Sequence, residues 1–391
     1  MKTIRWVLTA CLCGLAVMAF AQDKETPKTG HGGSTAEEMA ATQAYWTVER
    51  MANAKPMPMP RVDPAIAAAV SGPRVVSTEP ARFSPGGLPR FSRSTAKPIE
   101  NTDVLNVKDA AVQATPLPQT TPFSYEYPFT NYRPGTQGEY PFGAIGKLFF
   151  VIPPGASEPA GDYVCSASVA WNAYTVFTAR HCVFDYSTGI SYNSWVFYPG
   201  YNAGPIAKYG NAWTPRRWIT WVSGSSTFDY DIAVFQMNDE NGTGCNGSSG
   251  TGPIGAYTGW FGATWNGDYT QRQWDVFGYP AAAPFGGSHV WQDEAATGAV
   301  NPLSYSNVIE VGNPQTGGTS GGPWIIGLNP EALPLEPPAD NTLGGTGGNY
   351  LNGLNSFKWT SPSHPYSING PEFQTYNFDN LVTAYLALSC P

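Results

Sequence analysis

Charge is what this 391-residue chain has least of: Asp, Glu, Lys and Arg together make up 13% of it, against about a quarter in an ordinary globular protein. The little charge present is acidic on balance, −8 with histidine neutral. That balance excludes nucleic acid and anionic membrane as partners held by electrostatics. After Phe20 no apolar run approaches the roughly 20 residues that a bilayer-spanning helix needs. Cysteine is sparse, at 6, and none of the spacings is the C-x2-C of a zinc site, so neither a metal nor an organic cofactor is expected. There is no internal repeat of fixed period.

What is present begins with an export pattern. Lys2 and Arg5 precede an apolar run from Trp6 to Phe20 that closes on Ala19-Phe20-Ala21, which reads as a signal peptide over residues 1–21 with a mature chain starting near Gln22. Removing Lys2 and Arg5 takes the charge from −8 to −10. It also removes Cys11 and Cys13 and leaves Cys165, Cys182, Cys245 and Cys390. An even set in an oxidising compartment reads most simply as two disulfides.

The 43 Gly and 36 Pro, beside 42% hydrophobic residues rich in aromatics, describe a loop-rich β protein with enough apolar surface for a sizeable core. Residues 22–121 stand apart. Ser34-Thr35-Ala36-Glu37 reads as a capping box opening one helix through about Ala54, stopped by Pro56, Pro58 and Pro60. Beyond it the Pro-, Ser-, Thr- and Ala-rich composition favours a disordered linker, and the capped helix favours a pro-segment. From about residue 122 the character changes. Runs at 145–152, 163–171, 174–178, 194–198, 218–222, 232–237, 274–279, 308–311, 324–326 and 350–357 are β-branched or aromatic and bounded by Gly, Pro or Asn. Only Asn380 to Leu388 has helical periodicity, with Leu381, Ala384, Tyr385 and Leu388 on one face. The fold class is therefore all-β, a barrel or sandwich with a C-terminal helix.

Three short motifs carry chemistry: Thr178-Ala179-Arg180-His181-Cys182, Asp231-Ile232-Ala233-Val234 and Gly318-Thr319-Ser320-Gly321-Gly322-Pro323. A serine hydroxyl needs a neighbouring imidazole to take its proton, and a buried carboxylate then fixes the imidazole's tautomer. Glycines around the serine let the backbone aim N–H groups at a developing oxyanion. In this order, with separations of 50 and 89 residues, the motifs resemble those of trypsin-like serine proteases over residues 141–391. Gly278-Tyr279-Pro280 and Ala144-Ile145-Gly146-Lys147-Leu148 resemble more closely the bacterial glutamyl-endopeptidase-like branch.

The resemblance implies a chymotrypsin-like double six-stranded β-barrel over residues 122–391, with His181 as base, Asp231 orienting it, Ser320 as nucleophile, and the Gly318 and Ser320 amides as oxyanion hole. It implies a bridge between Cys165 and Cys182 behind His181, which leaves Cys245 and Cys390 to pair. Substrate-pocket candidates are Pro314, Gln315 and Thr316 before the nucleophile, and Asn355, Ser356, Phe357 and Lys358 on the later strand. Pro314 in place of an aspartate argues against trypsin's basic specificity, and Lys358 suggests an acidic one. Thr319 stands where trypsin-like zymogens keep an aspartate for the freed N-terminus, so that activation switch is not expected.

The partners so implied are protein or peptide substrates, and the chain's own pro-segment as inhibitor or folding aid. The implied state is a secreted monomer. Asp229, without a following apolar strand, reads as a solvated turn residue, and His289 and His364 as structural or surface histidines. Two rivals are an esterase built on Ser320 with Asp340 and His364, which needs βαβ alternation the sequence lacks, and a silent binding protein on a protease scaffold. The intact mass of the first exported species is predicted to begin at Gln22; a mass that retains residues 1–21 overturns the export reading.

Overall fold

A computed structural model describes residues 26–33, 35–70, 73–74, 77–90, 127–134, 138–206, 209, 212–222, 228–240, 252–267, 272–300, 302–304, 307–329, 348–361 and 363–388. The signal sequence, Ser34, residues 91–126, Cys245, Asp340 and Cys390 lie outside the described residues.

Twelve strands build two barrels. The first six are β1 (Ile145–Ile152), β2 (Gly161–Val169), β3 (Thr175–Thr178), β4 (Asn193–Pro199), β5 (Pro215–Val222) and β6 (Ala233–Met237). They pair as β4-β1-β2-β3-β6-β5, and a bridge between Phe197 on β4 and Trp213, just before β5, closes the ring. The second six are β7 (Gln273–Gly278), β8 (Trp291–Val300), β9 (Val308–Gly312), β10 (Pro323–Ile326), β11 (Tyr350–Leu354) and β12 (Ser367–Pro371). Their order is β11-β10-β7-β8-β9-β12, and a bridge between Phe357, after β11, and Asn369 on β12 closes this ring too. Each ring thus runs first, second, third, sixth, fifth, fourth strand. Two six-stranded barrels of one topology are the chymotrypsin-like architecture expected from the motifs.

The strands are nearly all buried on both faces, β1 on seven of its eight positions, which is why they read as apolar runs rather than strict alternations. Two strands escape the sequence reading. β8 (WQDEAATGAV) is poor in β-formers, and β12 (SINGP) carries Gly and Pro. β8 holds its place through strands on two sides, and β12 through β9 and the Phe357–Asn369 bridge. The C-terminal helix is Asn380–Leu386, entered through a wide π turn at Thr375–Asp379, and it buries Leu381, Val382 and Tyr385. Among the described residues no helix is long and apolar enough to cross a membrane.

The N-terminal extension departs most from expectation. Its capping box is one residue later than predicted: Thr35 caps the helix Ala36–Tyr45 and Glu38, not Glu37, closes it. The single helix predicted through Ala54 breaks at Trp46, because Thr47 recaps the chain and starts a second helix, Val48–Asn53. A third, Pro64–Val70, was not foreseen. The segment predicted to be a linker is docked along its described length. Thr26–His31 pairs antiparallel with β5, and Arg82–Ser84 pairs with the short strand Gly262–Trp265. Arg74 meets the buried carboxylate of Glu372 at 2.5 Å. Trp46, Met51 and Met57 enter the main hydrophobic core, and Met59 enters the second barrel's cluster around Trp274, Val276 and Trp324. Its partners lie more than a hundred residues away, so composition alone could not show this docking.

Trp46 is 3% exposed, donates its indole N–H to Ser194 O at 2.6 Å and packs on Phe149 with ring centroids 5.4 Å apart. Trp46→Ala is predicted to destabilise the full chain by roughly 3–5 kcal/mol in chemical denaturation; an unchanged midpoint means that the extension is not part of the folded unit.

Candidate active site

The two barrels meet at a buried carboxylate. β3 runs into a 3-10 turn, Arg180–Cys182, that carries His181. A second such turn, Phe228–Tyr230, delivers Asp231 just before β6. Asp231 is fully buried. Its Oδ1 accepts the His181 backbone N–H at 3.0 Å, and its Oδ2 lies 2.8 Å from His181 Nδ1. The Ser356 hydroxyl, from the second barrel, donates to the same Oδ2 at 2.5 Å. Burial by itself would raise this carboxyl. The His181 charge and hydrogen bond, the Arg180 guanidinium and the Ser356 hydroxyl more than offset it and hold it below the usual range. A depressed folded value means that the carboxylate stabilises the fold above its unfolded pKa, and that this contribution is lost as pH falls through the folded one.

Ser320 lies in the loop between β9 and β10. Gly318 and Gly321 there adopt φ of +93° and +78°, a region that side-chain-bearing residues rarely enter. Around them the loop is closely held. The Ser166 hydroxyl donates to Gly318 O at 2.9 Å, and the Ser166 N–H donates to Ser320 O at 2.8 Å. Ser320 O also lies 3.8 Å from Cys182 Sγ, which brings the serine beside the residue that follows His181. Cys165 and Cys182 are joined by a disulfide, as expected. Ser320 Oγ and His181 Nε2 are buried, and neither has a hydrogen-bond partner.

The pocket candidates separate on inspection. Pro314 is buried. Gln315 is spent on Asp293, Val276 O and the Thr319 hydroxyl, and Thr316 on Ala282 O at 2.7 Å. Asn355 turns into the core, donating to Phe277 O and Thr319 and accepting from the Trp324 indole. Ser356 serves Asp231. Phe357 is buried against Trp359 and Phe228. Lys358 is not a solvated surface lysine: it is 5% exposed, and its Nζ donates to Asn313 O at 3.1 Å, beside Pro314. Thr319 donates its hydroxyl to Gln315 and accepts from Asn355.

Asp229, predicted to be a solvated turn residue, is buried and accepts from the Tyr376 hydroxyl at 3.1 Å. His364 is a structural histidine, 2.7 Å from the buried Glu310, and His289 is half-buried. Among the described residues no group of three His, Cys, Asp or Glu side chains is placed to hold a metal ion. Sequence reasoning missed Ser166, and it missed a backbone contact: the Gly318 N–H donates to Met57 O of the extension at 3.1 Å. A surface cavity of about 340 Å³ does remain open, but it is lined by Tyr132, Asp275, Gln292 and Glu294 among others and by none of the residues above.

No protein-family model matches the chain, and no curated protein sequence matches it. Solved structures do match. One is a thermostable serine protease, AL20, from an extremophilic microorganism, 28% identical over 62% of this chain and 96% of that one, with a TM-score of 0.45. Another is the protease Anisep from Arthrobacter nicotinovorans, 27% identical over 65% and 96%, TM-score 0.46. A third is a Glu endopeptidase, 13% identical over 66% and 96%, TM-score 0.45. The chain is similar to serine proteases of the chymotrypsin type. The esterase alternative needs an elbow that leads from a strand into a helix, whereas the Ser320 loop leads into the strand Pro323–Ile326.

Gly321→Ala is the sharpest test of the loop geometry, because an added Cβ would lie 2.1 Å from Thr178 Oγ1 and 2.5 Å from Ser166 O at a φ of +78°. A loss of roughly 2–4 kcal/mol in unfolding free energy is expected; near-wild-type stability refutes the loop conformation.

Proposed function

We propose that the chain is an exported serine endopeptidase that cleaves peptide bonds through an acyl-enzyme on Ser320. The observation that carries this is the state of the imidazole: Asp231 grips both its backbone N–H and its Nδ1 side. Its Nε2, like Ser320 Oγ, is left buried and unpartnered. Buried polar atoms normally have partners, so a serine hydroxyl and an imidazole nitrogen both left open fit a catalytic pair, whose hydrogen bonds are often unformed before substrate arrives. Export fits the signal pattern and the Cys165–Cys182 disulfide.

In this mechanism His181 Nε2 takes the Ser320 proton as Oγ attacks the scissile carbonyl. The Gly318 and Ser320 N–H groups hold the oxyanion, at about 3–4 kcal/mol per donor. His181 then returns the proton to the leaving nitrogen, and water, activated by the same imidazole, hydrolyses the ester. Asp231 stays ionised throughout and stabilises the imidazolium.

A fluorophosphonate probe is predicted to label Ser320 once the extension has been cleared, and Ser320→Ala to take no label. Asp231→Asn is predicted to lower kcat about 10⁴-fold. Absence of labelling in the cleared wild type favours a silent binding protein on this scaffold and defeats the enzyme.

Lys358 points to the substrate class. Burial, and then the Arg61 charge, push its ammonium down to about 7, while Asp293 acts in the opposite sense. Below about pH 7, where it carries its charge, this group beside Pro314 favours an acidic side chain before the scissile bond, the preference of the glutamyl-endopeptidase-like branch. In a peptide library varied at that position, cleavage after Glu or Asp is expected to lead and to fall at least tenfold in Lys358→Met; cleavage after apolar residues alone sinks the idea.

A further inference from the structure

Residues 55–62, Lys-Pro-Met-Pro-Met-Pro-Arg-Val, cross this site as a segment that begins and ends in two-residue strands, Lys55–Pro56 and Arg61–Val62. Lys55–Pro56 pairs parallel with Tyr163 and Val164 on β2, and the Met57 N–H donates to Val164 O at 2.9 Å. Met57 O then accepts the Gly318 N–H at 3.1 Å, and Pro60 O and Val62 O accept the Lys358 and Thr360 N–H groups, both at 2.9 Å. Arg61–Val62 pairs parallel with Lys358–Trp359. Side chains alternate: Met57 and Met59 are 5% and 7% exposed, whereas Pro58 between them is exposed.

The direction of this strand decides its meaning. A substrate that places its carbonyl oxygen on the Gly318 N–H must turn its leaving nitrogen toward His181, which protonates it. His181 precedes Cys182, and the disulfide ties Cys182 to Cys165, the neighbour of Val164. The half of a substrate that follows the scissile carbonyl therefore runs along Tyr163 and Val164. In residues 55–62 the half that precedes the Met57 carbonyl lies there instead. The nitrogen that would have to leave, that of Pro58, belongs to the half that runs off toward Lys358.

Building on the protease reading, we infer that residues 55–62 are a built-in inhibitor that fills the substrate cleft with its chain direction reversed, so that the cleft grips it as it would a substrate and cannot cut it. The prolines suit this role. At 56, 58 and 60 they hold φ near −65° and keep the chain extended, and they reduce the conformations lost on binding. Met57 and Met59 supply apolar anchors in the two cores. The site thereby becomes a receptor for a proline-spaced, methionine-bearing extended peptide laid in the inverted sense.

The test uses the full chain in wild type, a Pro56→Gly/Pro58→Gly/Pro60→Gly variant and a Met59→Ala variant, each also with Ser320→Ala. Two readouts are taken: the rate of fluorophosphonate labelling at Ser320, and amide hydrogen exchange over residues 163–164 and 357–360. The expected results are at least tenfold faster labelling in both variants, faster exchange at Lys358 and Thr360, and a Met57–Pro58 bond that stays intact in the wild type by peptide mass. Equal labelling of variants and wild type, or cleavage after Met57, overturns the inhibitor. If no chain takes label, even after the extension has been removed by limited proteolysis, the protease reading falls. Exchange in the Ser320→Ala background then judges the seating alone: faster exchange in the triple-glycine variant upholds it, and unchanged exchange overturns it.

Discussion

A carboxylate with no access to water is the interaction on which the rest depends. An ionised Asp231 in the interior is tenable only with donors around it, and the donors come from both halves of the molecule. His181 reaches it from the first barrel through a backbone and a ring nitrogen, and Ser356 reaches it from the second through its hydroxyl. One requirement thus fixes the junction of the barrels and the orientation of the imidazole together. The Ser320 loop is then set by the first barrel, whose Ser166 holds the carbonyl of Gly318 and the carbonyl of Ser320 itself.

The second organising feature is the extension, which ties the two barrels together from outside. It lengthens the first sheet beside β5, threads the cleft, and adds Met59 to the second barrel's core. A segment so placed couples folding to silence: the apolar contacts that stabilise the fold also seat a carbonyl on the Gly318 amide. Clearing residues 55–62 from the site accordingly costs the protein part of its core.

Much of the site was legible because the chemistry confines residue type within a few positions. A histidine followed by cysteine at a strand end, an aspartate opening an apolar strand and a serine among glycines are local signals; the structure joins His181 to Asp231 and brings the Ser320 carbonyl to Cys182. Strands such as β1 and β10 were legible from their aromatic and β-branched runs. β8 was not, because its Ala, Gly, Asp and Glu carry no strand signal; Asp293 is tolerated within it through the side chains of Gln315 and Asn131. Asp229 looked solvated because its partner, Tyr376, is 147 residues away.

By itself, then, the sequence determined the all-β class and the order of the motifs, which follow from local pattern, while the resemblance those motifs carry named the Cys165–Cys182 pairing and the three candidate catalytic side chains. Only the tertiary structure decided that Asn355 faces the core, that Lys358 is buried with its Nζ on Asn313 O, and that a proline-rich stretch with the composition of a linker lies against Val164, Gly318 and Lys358. Those outcomes depend on hydrogen-bond partners more than a hundred residues distant or on which face of a turn a side chain takes, and neither is written in local composition.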